Sequence, residues 1–159
     1  MALLHPGDTF PAFDVNLVGG DSLSLPEALA GGFGVVLFNR GSWCPYCNAQ
    51  LRGFQRVASD LKDLGATVVS LSVDEEATAA EMVDKHKLTF PVGHSADAHQ
   101  LSELTGAFVN PEPVFLQATG FLLDPEGTVL LSAYSSGAIG RITGEDTVGM
   151  LRHVKEQAD

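Results

Sequence analysis

With 159 residues, nine Lys plus Arg against twenty Asp plus Glu, a formal charge of -11 and a pI near 4.6, the chain has the size of one domain and is strongly acidic. No cluster of basic residues interrupts that acidity, which excludes nucleic acid and anionic membranes as partners. No run approaches the ~18 consecutive apolar residues of a membrane span, and "MALLHPGDTF" lacks the charged and apolar regions of a secretory signal, so the expectation is one soluble cytoplasmic domain over residues 1–159.

In chain order, "HPGDTFPAFDVNLVGGDSLSL" mixes turn residues with short alternating segments and predicts a hairpin that ends near Leu25 and covers an edge. The apolar run Phe33 to Asn39 reads as a strand buried on both faces. From Cys47 onward, Leu51, Phe54, Val57, Ala58, Leu61 and Leu64 recur at three- and four-residue steps, which predicts one helix stopped by Gly65. Residues 66–74 follow as a second buried strand, and 75–87 as a polar-faced helix. "LTFPVGHSA" is a short strand or extended turn, and "DAHQLSELTG" a helix ended by Gly106. The stretch with Asn110-Pro111-Glu112-Pro113 reads as a loop, "GFLLDPEGTVLLSAY" as a hairpin, and "GEDTVGMLRHVKEQ" as a closing helix capped by Thr143 or Gly144. The pattern is α/β, a sandwich with a mixed sheet.

Chemistry is concentrated in "NRGSWCPYCNAQ", residues 39–50, which holds the only two cysteines. In a cytoplasmic chain a close pair points to redox or metal chemistry rather than to a structural bridge. Cys44 falls where the strand hands over to the helix, and unpaired N–H groups at a helix start favour the thiolate. Pro45 suits the first helical position. Cys47, about one turn on, is expected to be more buried and less ionised, yet within reach of the first sulfur. Trp43 either walls the site or fills core, and Arg40 either stabilises a thiolate or anionic substrate group or is an ordinary surface cation.

Metal binding is the competing chemistry, with His94 and His99 as the paired histidines. Residues 48 to 93 separate them from Cys47, where a zinc finger has about 12 to 15. His5, His86 and His153 lie in polar stretches, and acids such as Asp74, Glu81, Glu103 and Asp124 are dispersed as solvated faces would have them.

The strand, the "RGSWCPYC" segment and the helix resemble the thioredoxin superfamily, and Cys-Pro-Tyr-Cys resembles the glutaredoxin motif. Over nearly the whole chain the sequence is more similar to the AhpC/TSA peroxiredoxin branch, through "GDTFPAFDV", "VVSLSVDEEATAAEMVDKHKLTFPVGHSAD" and "GFLLDPEGTVL". Two family features are missing. The Pro and Thr or Ser that precede a peroxidatic cysteine are here Leu37 and Gly41 counted from Cys44, or Arg40 and Cys44 counted from Cys47. Gln117 stands where a later-strand arginine is expected, with Arg40 and Arg141 as candidate substitutes. The superfamily also implies a cis proline facing the cysteines, for which Asn110-Pro111 and Glu112-Pro113 are the candidates.

The resemblance implies a thioredoxin-like sandwich and a thiol peroxidase without cofactor or metal. Cys44 attacks the peroxide, Cys47 resolves the sulfenic acid to a disulfide, and an external thioredoxin- or glutaredoxin-like dithiol reduces it, with a homodimer allowed. The same cysteines also support a thiol-disulfide oxidoreductase acting by exchange, while a non-catalytic thioredoxin-like binding module would not require the pair.

Overall fold

Val35 and Leu37 point to one side of strand β3 (Phe33–Phe38), Val36 and Phe38 to the other, and all four are fully buried. A strand shielded on both faces needs a layer on each side, and burial at this level contributes roughly 1.5–3 kcal/mol per large side chain. The computed structural model, which describes residues 3–158, supplies both layers.

Strands β1 (Phe13–Leu17) and β2 (Ser22–Leu25) form the expected N-terminal hairpin, and β4 (Ala66–Leu71) and β5 (Val92–His94) continue the sheet. After these come β6 (Val109–Pro111), β7 (Val114–Leu116), β8 (Thr119–Leu123) and β9 (Val129–Tyr134). Seven of them form one sheet in the order β2-β1-β5-β4-β3-β8-β9, parallel from β3 through β4 to β5 and antiparallel elsewhere. The N-terminal hairpin lies at one edge, as the sequence suggests.

Helices α1 (Pro45–Arg56), α2 (Ala58–Asp63), α3 (Glu76–His86) and α5 (Gly144–Ala158) contribute Leu51, Phe54, Leu61, Met82, Val148 and Leu151 to the core on the Val35 side. On the Phe38 side, α4 (Ala98–Thr105) packs with Phe10, Phe13 and Phe121, whose rings meet Phe38 or each other edge-on or tilted. This is the expected thioredoxin-like sandwich, a central mixed sheet flanked by helices. Thr143 Oγ1 accepts the Asp146 N–H and so caps α5.

Two expectations change. The helix expected from Cys47 to Leu64 breaks at Val57, whose φ of -103° and ψ of 16° leave the helical region and whose N–H turns back to the Phe54 carbonyl at 3.2 Å. At that break the start of α5 crosses α1 so closely that a Cβ on Gly144 would lie 2.7 Å from the Gly53 carbonyl oxygen and 2.8 Å from Val57 Cγ2. The stretch read as a loop is the small hairpin β6-β7, separate from the main sheet, with Asn110 Nδ2 donating to the Pro113 carbonyl at 2.7 Å to close its turn. Glu112-Pro113 in that turn is cis, and so is Leu25-Pro26, which the sequence did not suggest.

Candidate active site

Strand β3 does not release the chain at Phe38. The Asn39 N–H still bonds the Leu71 carbonyl at 2.9 Å, and the buried Asn39 side chain accepts from the Ser70 hydroxyl, so the sheet's position carries into the next residue. Residues 40–43 then turn. Asp74 accepts the Ser42 N–H at 2.8 Å from the end of β4, and Asn48 donates to the Ser42 carbonyl at 2.9 Å from α1. A Cβ on Gly41 would sit 2.2 Å from Trp43 Nε1, so a larger residue there would have to displace the indole.

Cys44 is the residue that caps α1. Its backbone is extended, its sulfur accepts the Cys47 N–H at 3.2 Å, and Pro45 takes the first helical position, where no N–H partner is needed. Cys47 Sγ accepts the Arg40 N–H at 3.3 Å. Both thiols are reduced and both have 0% of their surface exposed.

Two arginines converge on the sulfurs. Arg40 Nη1 lies 3.8 Å from Cys44 Sγ, a long contact, while its Nε donates to Gln117 Oε1 at 3.0 Å. Its guanidinium is layered against the rings of Trp43 and Phe115, 4.9 and 5.1 Å from their centroids. Arg141, from the segment before α5, places Nη2 2.9 Å from Cys47 Sγ and 3.6 Å from Cys44 Sγ. Its Nη1 donates to Gln50 Oε1 at 2.7 Å and its Nε to the Ala138 carbonyl at 2.6 Å. Gln50 is fixed in turn by donating to the Ile142 carbonyl at 2.9 Å.

These contacts separate the two thiols. Burial works to raise the Cys44 pKa, but hydrogen bonds from the Cys47 side chain and N–H, the Arg40 contact and the charge of Arg141 outweigh it and hold Cys44 below the ordinary thiol value. Burial and the hydrogen bond to Cys44 push Cys47 upward, against the pull of Arg141 and the Arg40 N–H. Cys44 is thus the more readily ionised thiol of the pair and Cys47 the less. A thiolate beside two guanidiniums is equipped to attack an electrophilic oxygen or sulfur while the developing charge is held by fixed donors.

Of the residues singled out in the sequence, Cys44, Cys47, Arg40, Pro45 and Arg141 are thus brought together. Trp43 is 56% exposed and meets Arg40 and Phe115. Gln50 and Asp74 went unrecognised, although Gln50 lies three residues past Cys47, on the same face of α1, a spacing that could have revealed it. Asp74, grouped with the solvated acids, instead anchors the turn. His94 bonds Ser95 at 2.8 Å and lies 3.7 Å from Glu76, and no group of three potential metal ligands occurs among the described residues. Nor is any helix there long and apolar enough to cross a membrane.

Comparison with known proteins identifies relatives of this sequence and fold. A peroxiredoxin of Methanothermobacter thermautotrophicus is 28% identical over 153 residues, covering 92% of this chain and 71% of the relative. A thiol-disulfide oxidoreductase ResA of Oceanobacillus iheyensis is 26% identical over 117 residues, 72% of this chain and 60% of that protein. The solved structure of Mycobacterium tuberculosis AhpC has the same fold, with a TM-score of 0.82 at 20% identity over 98% of this chain and 96% of that one. The model of the AhpC/TSA family matches residues 6–132, a span that holds both cysteines, Arg40 and Gln117 and stops short of Arg141, and the chain belongs to that family.

Proposed function

We propose that this protein is a thiol-dependent peroxidase that reduces hydrogen peroxide or organic hydroperoxides with Cys44 as nucleophile and Cys47 as resolving thiol. The observation that carries the reading is the convergence of Arg40 and Arg141 on the sulfur pair, with both guanidiniums within 3.8 Å of Cys44 Sγ and Arg141 closer still to Cys47. Family membership and the peroxiredoxin relatives support it. The Cys44 thiolate takes the terminal OH of the peroxide, the O–O bond breaks, and the leaving oxyanion acquires a proton from water. Cys44 is then a sulfenic acid, and attack by the Cys47 sulfur expels water and forms the disulfide. An external dithiol, thioredoxin- or glutaredoxin-like, returns the pair to thiols. The reading takes residues 1–159 as one cytoplasmic domain and allows a homodimer.

Exchange with a disulfide substrate uses the same sulfurs, and the ResA likeness favours it, but it makes no particular demand for two cations on one thiolate. Stopped-flow oxidation of the reduced protein by hydrogen peroxide and by an organic hydroperoxide, in wild type, Cys44→Ser and Cys47→Ser, separates the two. The peroxidase reading predicts fast oxidation that persists as a trappable sulfenic acid in Cys47→Ser and is lost in Cys44→Ser. Oxidation no faster than that of an ordinary free thiolate sinks it and leaves exchange as the function.

A further inference from the structure

Strand β5 ends at His94 and α4 begins at Ala98. The chain turns between them through Ser95, an exposed residue held at a φ of 55°, in the left-handed region that a serine seldom occupies. Two backbone bonds fix the turn: the Ser95 N–H donates to the Asp74 carbonyl at 2.7 Å and the Ala96 N–H to the Ser72 carbonyl at 3.1 Å. A serine on a strand-to-helix turn of this kind stands clear of the sheet and presents its side chain to whatever approaches.

That side chain has a base beside it. Ser95 Oγ lies 2.8 Å from Nδ1 of His94, whose other ring nitrogen, Nε2, lies 3.7 Å from Glu76 Oε2 in the first turn of α3. Glu76 is aimed in turn by the Gly19 N–H, which donates to the same oxygen at 3.3 Å. With its proton on Nε2, toward the carboxylate, His94 offers Nδ1 as the acceptor for the Ser95 hydroxyl. Nucleophile, base and orienting carboxylate follow one another, and none of them belongs to the thiol site.

Ser95 and His94 open on a pocket of about 130 Å³ whose walls include Asn16 of β1 and Gln100 and Leu101 of α4. That is roughly the room of four waters, enough for a short acyl group and little more. Among the described residues the side-chain amides of Asn16 and Gln100 make no hydrogen bond within the protein, so both are donors for a carbonyl oxygen that gains charge. The two carboxylates in the wall are engaged elsewhere: Asp14 accepts the Ser24 hydroxyl at 2.6 Å, and Asp97 accepts the Gln100 N–H at 3.1 Å.

We propose that Ser95, His94 and Glu76 form a second catalytic site, separate from the cysteines, that cleaves esters of short acyl groups. It is independent of the peroxidase reading. The Ser95 oxygen adds to the acyl carbon while its proton passes to His94 Nδ1, and the carbonyl oxygen takes up the negative charge. As the carbonyl re-forms, the alcohol departs with the proton from Nδ1 and leaves an acyl-serine. Water, giving a proton to the same nitrogen, adds to that carbon, and the acid is released as the proton returns to Ser95. Glu76 stabilises the imidazolium between the transfers, and no oxidant or reductant enters.

The probe is p-nitrophenyl acetate, used on the full chain carrying Cys44→Ser and Cys47→Ser so that no thiolate contributes. Release of p-nitrophenol is expected to exceed by at least about tenfold that of the same protein with Ser95→Gly, a substitution suited to the positive φ, and His94→Gln should fall to that lower level. Mass spectrometry of protein quenched during turnover should place the acetyl group on Ser95, a readout that needs no variant at that position. Release undiminished in Ser95→Gly overturns the proposal, and so does an acetyl group found on other side chains and not on Ser95. Activity that survives Ser95→Gly but is lost in His94→Gln makes the histidine the nucleophile and overturns it as well.

Discussion

Gln50 holds Arg141 by a 2.7 Å hydrogen bond, and Arg141 in turn sets one guanidinium nitrogen between the two sulfurs, 2.9 Å from Cys47 and 3.6 Å from Cys44. Ninety-odd residues of sequence lie between these partners, yet one helical face and one segment bring them together. Gln50 is a positioning residue, acting on the sulfurs through the arginine it aims.

Gln50→Ala is therefore expected to slow peroxide oxidation of Cys44 by about tenfold, the loss of one charge-assisted contact's worth of orientation. The reading is distinguished from mere destabilisation by the pH profile of alkylation, whose midpoint should move upward as Arg141 loses its anchor. An unchanged midpoint with reduced thermal stability would make Gln50 a packing residue only.

Arg141→Gln removes the cation itself. Cys44 is held below the ordinary thiol value partly by that charge, so its removal raises the pKa, and the thiolate present at neutral pH declines. Iodoacetamide alkylation followed against pH should show a midpoint shifted to higher pH, a value that belongs to the coupled pair. The rate with hydrogen peroxide should fall on the order of 10²-fold if Arg141 stabilises the transition state. A loss no larger than the fall in thiolate fraction would confine its role to pKa.

Gly144→Ala tests the crossing of α1 and α5. The new methyl would meet the Gly53 carbonyl at 2.7 Å and Val57 at 2.8 Å, and neither neighbour is a flexible chain end. A cost of about 1–3 kcal/mol is expected, read as a lower urea midpoint at unchanged slope. No change would mean that the helices separate freely.

Asp74→Ala leaves the Ser42 N–H without its 2.8 Å acceptor. The cost is about 1–3 kcal/mol for an unsatisfied, partly buried donor, and because the same turn carries Trp43 and leads into Cys44, tryptophan fluorescence should change along with stability. Asp74→Asn, which keeps an acceptor oxygen, should recover most of both.

Much of this architecture is legible in the sequence, for reasons that differ from residue to residue. The doubly buried strand at Phe33 to Phe38 announces itself by an uninterrupted apolar run, and α1 by the spacing of Leu51 and Phe54 together with Pro45 at its start. The break at Val57 does not, because Leu61 and Leu64 keep the apolar period across it, and the close crossing of α5 at that point involves Gly144, far along the chain. The β6-β7 hairpin hides behind prolines, which ordinarily argue against strands and are tolerated here in a two-stranded ribbon apart from the main ladder. In the site, Cys44 and Cys47 are local and therefore visible. Arg141 appears in the sequence only as one of two candidates for a missing arginine, and Gln117 only as the residue in that arginine's place. Their real relation is that Gln117 orients Arg40 and Arg141 comes from another element, a three-dimensional fact that spacing does not encode.

The two guanidiniums beside the sulfurs are held by side-chain amides, Gln117 and Gln50, rather than by carboxylates. An amide has no proton to gain or lose across the range in which cells live, and arginine keeps its own. The side chains that aim the two guanidiniums at the sulfurs therefore carry no charge of their own. A solution whose acidity drifts would change how much thiolate the protein holds while the two amides go on aiming the arginines as before.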